Sequence, residues 1–283
     1  MLYLVLVSIV WAFSFGLIKG QLTGINPEVV ASIRLILCVL SFLPFLWLAR
    51  SYQPNFKLIA LGALQFGVMY LAYIQSYQYL PGYLVAVFTI FTPFYVLIAN
   101  AIISNSWQNT YLIPVLLSVS GAAVIVFKAP EHQQYLMGFL LLQVANVAFA
   151  IGQVAYKHLA AEQKDSVNMV WMYLGGALLA SGYATFNVDL TAVVIEPAQW
   201  WALLYLGVIS SGLCFYLWNK GAKRVNPPTL AVMNNGYVPL AVIFSITIFA
   251  ENADLSRLLI GAALISISVY IATQMQTTKE KVS

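Results

Sequence analysis

The sequence predicts an all-α integral membrane protein with ten transmembrane helices, arranged as two inverted five-helix repeats. Three observations carry this prediction. The composition is 61% hydrophobic and only 8% charged, whereas a soluble domain carries about 25% charged residues. Ten apolar stretches approach or exceed the length of about 20 residues that a helix needs to cross a bilayer. A pattern of paired prolines occurs once in each half of the chain.

The ten predicted spans are separated by short connections. A helix start is predicted at Asn26-Pro27-Glu28, because Asn is a favoured capping residue and Pro is well tolerated at the first helical position. No cleavable signal is expected, since residues 1–10 carry no basic segment. The spans are 2–19, 27–49, 57–79, 82–103, 110–127, 135–157, 167–186, 198–219, 228–250 and 256–274.

The repeat is defined by Pro81 and Pro93 in the fourth span and by Pro227 and Pro239 in the ninth. The two pairs coincide when the chain is shifted by 146 residues. The first proline of each pair stands at a helix start, where no backbone donor is needed. The second removes a helix hydrogen bond, so we predict kinks and hinges at Pro93 and Pro239. Five spans per repeat would turn the second repeat over in the membrane, as in many secondary transporters.

Positive charge predicts the orientation of the chain. With the N-terminus inside, nine of the 13 lysines and arginines lie on the inner side and three on the outer side, while Arg34 lies within the second span. The side of a membrane protein that carries more Lys and Arg usually faces the cytoplasm. We therefore expect a multi-pass protein of the cytoplasmic (inner) membrane, with repeats at 1–130 and 131–276, a cytoplasmic tail at 277–283 and both termini cytoplasmic.

The groups that enzymes and metal sites need are not brought together by this sequence. It shows no paired acids, no histidine spaced with a serine or cysteine, and no phosphate-binding glycine loop. The two cysteines and two histidines lack metal-ligand spacing. We therefore expect no enzyme activity, cofactor, metal or nucleic-acid partner. Every Asp and Glu lies at or beyond a helix end, so a buried carboxylate relay for protons is not expected either.

Polar side chains in the middle of the spans are the candidates for binding a solute, because such groups need partners in hydrocarbon. Arg34 is the one charge deep within a span. It either clamps a carboxylate or phosphate, or it snorkels to the interface or pairs with Glu28. The mid-span hydroxyl and amide side chains either bind the solute or form hydrogen bonds between helices. The predicted substrate-binding residues are Trp11, Ser14, Arg34, Tyr73, Thr89, Thr92, Asn146, Tyr216, Asn234 and Asn235.

Several stretches resemble the drug/metabolite transporter (DMT) superfamily, specifically its EamA-type ten-helix members. The resemblance rests on Trp11-Ala12, on the proline pairs, and on Phe249-Ala250-Glu251 followed by Leu259-Ile260-Gly261. Two departures occur, since Ala250 replaces the family's glycine and Asn105 stands where the first repeat would carry a glutamate. The resemblance implies an inward-facing basket of helices around a central cavity. It also implies a homodimer formed through the fifth and tenth helices.

Together, the polar mid-span residues and the resemblance predict a secondary transporter that moves a small polar metabolite across the lipid bilayer by alternating access. An amino acid or related zwitterion is the first expectation, with export favoured by analogy to the family. The alternative is uptake of a heteroaromatic vitamin or nucleobase-like solute stacked on Trp11 and tyrosines. A lipid-carrier flippase and a membrane scaffold are further alternatives.

Overall fold

The protein is all-helical, apart from turns and connections, in the residues that a computed structural model describes. Glu251 and the predicted tail 277–283 lie outside the described residues, and the tenth predicted span is described only at separate positions. The described residues are 2–50, 53–105, 112–126, 133–159, 164–250, 256–257, 260–261, 263–264, 267–268, 270–271 and 274.

Nine long helical segments follow one another within 2–250, allowing for the gaps in the description. They coincide with the first nine predicted spans to within a few residues. Seven of them, all except α5 and α7, are long and apolar enough to cross a membrane. The segments are α1 (Leu2–Gln21), α2 (Pro27–Ala49), α3 (Phe56–Ser76), α4 (Gly82–Ile103), α5 (Leu112–Val126), α6 (Gln133–Leu159), α7 (Asp165–Asn187), α8 (Pro197–Ala222) and α9 (Pro227–Met233 with Val238–Thr247).

Asparagine and proline mark several helix starts. Pro27 lies in the first turn of α2 as predicted, but the Asn26 side chain makes no capping hydrogen bond, so that part of the prediction is wrong. Asn55 and Asn226 do cap α3 and α9, since each Oδ1 accepts a backbone N–H, at 3.1 and 2.8 Å respectively. These caps satisfy donors that the first turn of a helix leaves without partners.

α4 and α9 are each interrupted directly before the second proline of the repeat. α4 tightens into a 3₁₀ turn at Thr89–Phe91, two residues before Pro93. α9 breaks into a turn between Met233 and Val238, and Pro239 follows at the start of the next helical segment. Proline has no N–H to donate to the carbonyl one turn earlier, which favours such a break. The interruptions are observed, and movement about them stays a prediction.

Two further irregularities, both π-helical, are not indicated by the sequence pattern. α3 widens over Ala63–Val68 and α8 widens over Tyr205–Leu213. Such wide turns within α-helices occur frequently at functional sites. Here they lie immediately before Tyr70 in α3 and around Ser210 and Ser211 in α8. These three hydroxyl residues belong to the cavity region described below.

α3 and α7 pack with their backbones in close contact. A Cβ atom at Gly175 would overlap the carbonyl oxygen of Ile59, and one at Gly62 would overlap the carbonyl oxygen of Met172. Small residues are what permit this approach between membrane helices. α7 also packs against α2. The α2–α3–α7 group therefore forms a tightly packed support behind the cavity residues that α2 and α3 carry.

Candidate functional site

Seven helices contribute side chains to a central cavity among the residues that the structure describes. Aromatic rings form much of the wall, and Arg34 is the one charged side chain among the described residues that line it. The lining residues are Trp11, Ser14, Phe15, Arg34, Met69, Tyr70, Tyr73, Thr89, Thr92, Ala145, Asn146, Phe149, Ser210, Phe215 and Tyr237.

Seven of the ten residues predicted to bind the solute lie on this wall. Tyr216, Asn234 and Asn235 lie elsewhere. Tyr216 packs on Phe42 with ring centroids 5.5 Å apart, and its hydroxyl accepts a hydrogen bond from Lys220 at 3.1 Å. The seven on the wall are Trp11, Ser14, Arg34, Tyr73, Thr89, Thr92 and Asn146.

Arg34 is buried inside the bundle, with only 2% of its surface exposed. Its Nη2 donates to the hydroxyls of Tyr70 and Ser211, both at 3.0 Å. The guanidinium carbon also lies 4.6 Å from the centre of the Tyr70 ring. Nε and Nη1 have no hydrogen-bond partner within the described residues. The side chain is therefore held by neutral groups and does not snorkel, and two of its nitrogens keep unused donors.

The π-helical stretch of α8 helps to hold Arg34. Within it, the Ser211 hydroxyl donates to the carbonyl oxygen of Leu206, five residues earlier, at 2.6 Å. Since its own hydrogen is used there, Ser211 Oγ accepts from the Tyr70 hydroxyl at 2.6 Å and from Arg34. The two hydroxyl oxygens thus fix Nη2 from both sides. This arrangement orients the guanidinium without neutralising its charge.

Trp11 anchors the aromatic part of the wall. Its Nε1 donates to the carbonyl oxygen of Ser210 at 2.8 Å, which fixes the indole against α8. The ring centroids of Phe149, Phe215 and Tyr237 lie 5.9, 5.0 and 6.1 Å from it. Rings at such separations pack favourably and lose little conformational freedom. The cavity therefore has a pre-formed apolar surface suited to a compact ring system.

A second polar part of the wall comes from α4, α6 and α9. Asn146 donates from Nδ2 to the carbonyl oxygen of Phe88 at 3.0 Å. The Tyr237 hydroxyl donates to Thr89 Oγ1 at 2.7 Å. Asn235 lies behind this part of the wall, where its Nδ2 donates to the carbonyl oxygen of Ile90 at 3.4 Å. These bonds cross between helices at the two interruptions.

Gln153, Trp218 and Asn234 form a buried hydrogen-bonded group, here called the inner layer. Trp218 Nε1 donates to Gln153 Oε1 at 2.9 Å, and Asn234 Nδ2 lies 3.4 Å from the same oxygen. Their exposed fractions are 0%, 0% and 1%. Each lies about one helical turn beyond a cavity residue of its own helix, toward the end that carries Lys157 and Lys220. The layer therefore lies on that side of the cavity.

Sequence reasoning missed about half of the wall. Tyr70, Ser210 and Tyr237 carry the same mid-span polar signal as the predicted residues but were not among the ten. The apolar lining residues Phe15, Met69, Ala145, Phe149 and Phe215 carry no such signal, because a ring or methyl group facing a cavity has the same sequence pattern as one facing another helix.

The described acids lie at or outside helix ends. Glu28 and Asp165 occupy first turns, and Glu196 precedes α8. Asp165 pairs with Lys223 at the inner-layer end of the bundle. No group of three or more His, Cys, Asp or Glu that could hold a metal occurs among the residues the structure describes.

A polytopic helical bundle with an aromatic and polar cavity between its helices is typical of membrane transporters for small solutes. The chain belongs to the EamA-like transporter family, whose match covers residues 1–127 and 136–274. The resemblance to the DMT superfamily is thereby confirmed. The protein is a transporter of this family and not an enzyme.

Relatives of known description span nearly the whole chain. The sequence is 35% identical over 279 residues to a probable biotin transporter of Pseudomonas aeruginosa, covering 96% of both chains. It is 34% identical over 280 residues to a biotin transporter of Salmonella typhimurium, covering 96% of this chain and 92% of that one. A probable amino-acid metabolite efflux pump of Salmonella typhimurium is 24% identical over 284 residues, covering 94% and 92%.

The fold also resembles a solved one. A crystal structure described only as that of a protein superimposes with a TM-score of 0.78, covers 96% of each chain and is 18% identical in sequence. At this identity the likeness concerns the fold alone.

Proposed function

We propose that this protein is a secondary transporter that takes up biotin, a vitamin with a carboxylate at one end and a cyclic urea fused to a sulfur ring at the other. The observation that carries the proposal is Arg34, a buried cation on the cavity wall with Nε and Nη1 unpartnered in the described residues. The relatives named as biotin transporters support it.

The energetics of Arg34 favour an anionic solute. A buried charge without a counter-ion is costly, and its cost falls when an opposite charge arrives with good hydrogen bonds. A carboxylate matches the planar guanidinium and accepts two parallel N–H bonds. Nε and Nη1 would supply such a pair, while Tyr70 and Ser211 keep Nη2 in place. The carboxylate of the solute is thereby assigned to Arg34.

The cavity gives weaker support to the hypothesis that the substrate is an amino acid. A zwitterion brings an ammonium group as well as a carboxylate, and burying that ammonium needs an acid or several acceptors. Among the described lining residues there is no Asp or Glu. Aromatic faces such as Trp11 offer a cation–π contact worth only about 0.5–2 kcal/mol. Biotin instead presents a ring system with little charge to this surface.

The topology belongs to the same proposal: ten transmembrane helices as two inverted repeats, 1–130 and 131–276. The packing is symmetric under exchange of the two halves, since α1 contacts α8 and α9 as α6 contacts α3 and α4, and α2 contacts α8 as α7 contacts α3. The π-helical stretches of α3 and α8 also overlap when shifted by 146 residues. Inverted repeats with a site at their interface are recurrent in secondary transporters.

In this proposal the protein lies in the inner membrane and its inner-layer end faces the cytoplasm, which the distribution of Lys and Arg supports. Both termini and the tail 277–283 are then cytoplasmic. On this orientation Gln153, Trp218 and Asn234 lie between the cavity and the cytoplasm. Release would require this layer to part, with hinges at Pro93 and Pro239. A homodimer and the absence of a nucleic-acid partner complete the proposal.

Ligand-dependent thermal unfolding of the purified protein tests the proposed substrate. Biotin should raise the melting temperature, and biotinamide, whose neutral amide replaces the carboxylate, should raise it much less. Amino acids should leave it unchanged. Stabilisation by amino acids or by a polyprenyl phosphate, with none by biotin, would replace the biotin assignment with the corresponding alternative.

A further inference from the structure

We propose that Asn146 and Thr92 form a second recognition point in the cavity, which binds the N–H and carbonyl groups of a cyclic urea or cyclic amide on the solute. This inference rests on the proposed uptake of biotin and deepens it, because it states what the site selects beyond a carboxylate. Both residues lie on the cavity wall and are buried, with exposed fractions of 3% for Asn146 and 2% for Thr92.

The orientation of the Asn146 amide follows from its neighbours. Nδ2 donates to the carbonyl oxygen of Phe88 at 3.0 Å and to Gln143 Oε1 at 3.3 Å. A backbone carbonyl only accepts, so the NH₂ group of Asn146 must point toward Phe88. Oδ1 makes no hydrogen bond within the described part of the chain. The acceptor of a buried amide is therefore left for a solute.

Gln143 fixes Asn146 from the other side and acts as a positioning residue. Its Nε2 donates to the carbonyl oxygen of Phe139 at 3.3 Å, which turns Oε1 toward Asn146. The same Oε1 accepts from the Tyr95 hydroxyl at 3.2 Å. With both of its N–H groups directed to fixed acceptors, Asn146 cannot exchange its NH₂ and oxygen positions without losing two hydrogen bonds.

Thr92 presents a second unused group on the same cavity wall. A threonine within a helix usually donates to the carbonyl four residues earlier, which here is that of Phe88. That carbonyl already accepts from Asn146, and the hydroxyl of Thr92 makes no hydrogen bond among the residues described. The Thr92 hydroxyl is consequently available to donate to the carbonyl of a cyclic urea whose N–H donates to Asn146.

The second recognition point is separated from the first by the architecture of the bundle. α2, which carries Arg34, packs against α3, α7 and α8, whereas α6, which carries Asn146, packs against α3, α4 and α8. The two polar points therefore approach the cavity from different walls. The proposed solute accordingly has a carboxylate, which Arg34 binds, and an N–H-bearing ring, which Asn146 and Thr92 bind.

Asn146 and Thr92 should let the protein discriminate between solutes that carry a cyclic urea and solutes that lack one. When a solute fills the cavity without reaching Asn146 and Thr92, their polar atoms lose access to other partners, which costs affinity. Lipoate is the matched probe, because it carries the same pentanoate chain on a sulfur ring but no urea. Dethiobiotin is the converse probe, because it keeps the cyclic urea and lacks sulfur.

The test is the dissociation constant of biotin, dethiobiotin and lipoate, measured by titration calorimetry on the full chain in detergent. In Asn146→Leu and in the nearly isosteric Thr92→Val, affinity for biotin and dethiobiotin should fall about fivefold to tenfold. Affinity for lipoate should stay the same or rise, because the polar groups that lipoate leaves unmatched are gone. Arg34→Gln should weaken all three. Asn187→Leu and Thr185→Val, at the exposed end of α7, are the matched controls and should change none.

The outcomes separate the two proposals. If the wild-type protein binds biotin but both variants keep its ratio of biotin to lipoate affinity, the second recognition point is overturned and biotin uptake stands. If the wild-type protein binds lipoate and biotin with equal affinity, the second recognition point is likewise overturned and biotin uptake stands. If the wild-type protein binds none of the three, the proposed function is overturned together with this inference.

Discussion

The hydroxyl of Tyr237 donates a hydrogen bond of 2.7 Å to Oγ1 of Thr89, and this bond joins the interruptions of α4 and α9. Thr89 begins the 3₁₀ turn that precedes Pro93, and Tyr237 ends the turn that precedes Pro239. Both side chains also line the cavity. A solute bound there therefore touches the contact by which the two broken helices hold each other.

Removing this bond should uncouple the two helices by a measurable amount. In a double-mutant cycle with Tyr237→Phe and Thr89→Val, we expect a coupling in the unfolding free energy of about 0.6 kcal/mol and no more than about 1.7 kcal/mol, the range found between membrane helices. Thr89→Val also removes the hydrogen bond from Thr89 to Ala86. This loss occurs both in the wild type and in the Tyr237→Phe background, so it cancels from the coupling energy. Tyr237→Phe with the exposed Thr247→Val should be additive. Additivity for both pairs would show that the bond contributes nothing.

Gln153 in the inner layer should affect stability and leave binding alone. Gln153→Leu removes the acceptor of Trp218 and Asn234, so the unfolding free energy should fall by about 1–3 kcal/mol. The biotin dissociation constant should change by no more than about twofold, because Gln153 does not line the cavity. Gln78→Leu, at an exposed position of similar chemistry, should change neither quantity. A tenfold loss of affinity without loss of stability would place Gln153 in contact with the solute.

Gly175 should be intolerant of a side chain, while Gly182 on the same helix should accept one. A Cβ at Gly175 would overlap the carbonyl oxygen of Ile59, whereas one at Gly182 meets nothing within 4 Å. Gly175→Ala should therefore lower the yield of folded protein and its melting temperature. Gly182→Ala should match the wild type or exceed it slightly, because alanine favours helix. Equal behaviour of the two variants would contradict the close packing of α3 and α7.

The spans and their interruptions could be predicted because the bilayer imposes a simple rule. Apolar length sets where a helix runs, and proline sets where its hydrogen bonds fail. Arg34, Trp11 and Asn146 could be singled out for the same reason, since polar or amphipathic groups in mid-span need partners. The same argument selected Asn234 and Asn235 as binding residues. Both do have hydrogen-bond partners, but these partners belong to neighbouring helices and neither asparagine lines the cavity.

The rest of the site depends on rotation about the helix axes, which the sequence does not determine. The π-helical turns of α3 and α8 change which side chains face inward after Val68 and within Tyr205–Leu213. No sequence pattern marked them. Apolar lining residues such as Phe149 and Phe215 could not be predicted either, because apolar residues occur on all faces of these membrane helices.

Biotin uptake by reconstituted protein tests the role of Arg34 most directly. Initial rates of radiolabelled biotin entry into proteoliposomes are compared for the wild type, Arg34→Gln and Lys57→Gln, the last removing a charge at an exposed position. Arg34→Gln should still fold, because Tyr70 and Ser211 keep their own hydrogen bond. We expect its rate to fall at least about tenfold, since charge-assisted bonds contribute about 1.5–3 kcal/mol, while Lys57→Gln keeps the wild-type rate. Wild-type biotin uptake by Arg34→Gln would contradict the assignment of the carboxylate to this residue.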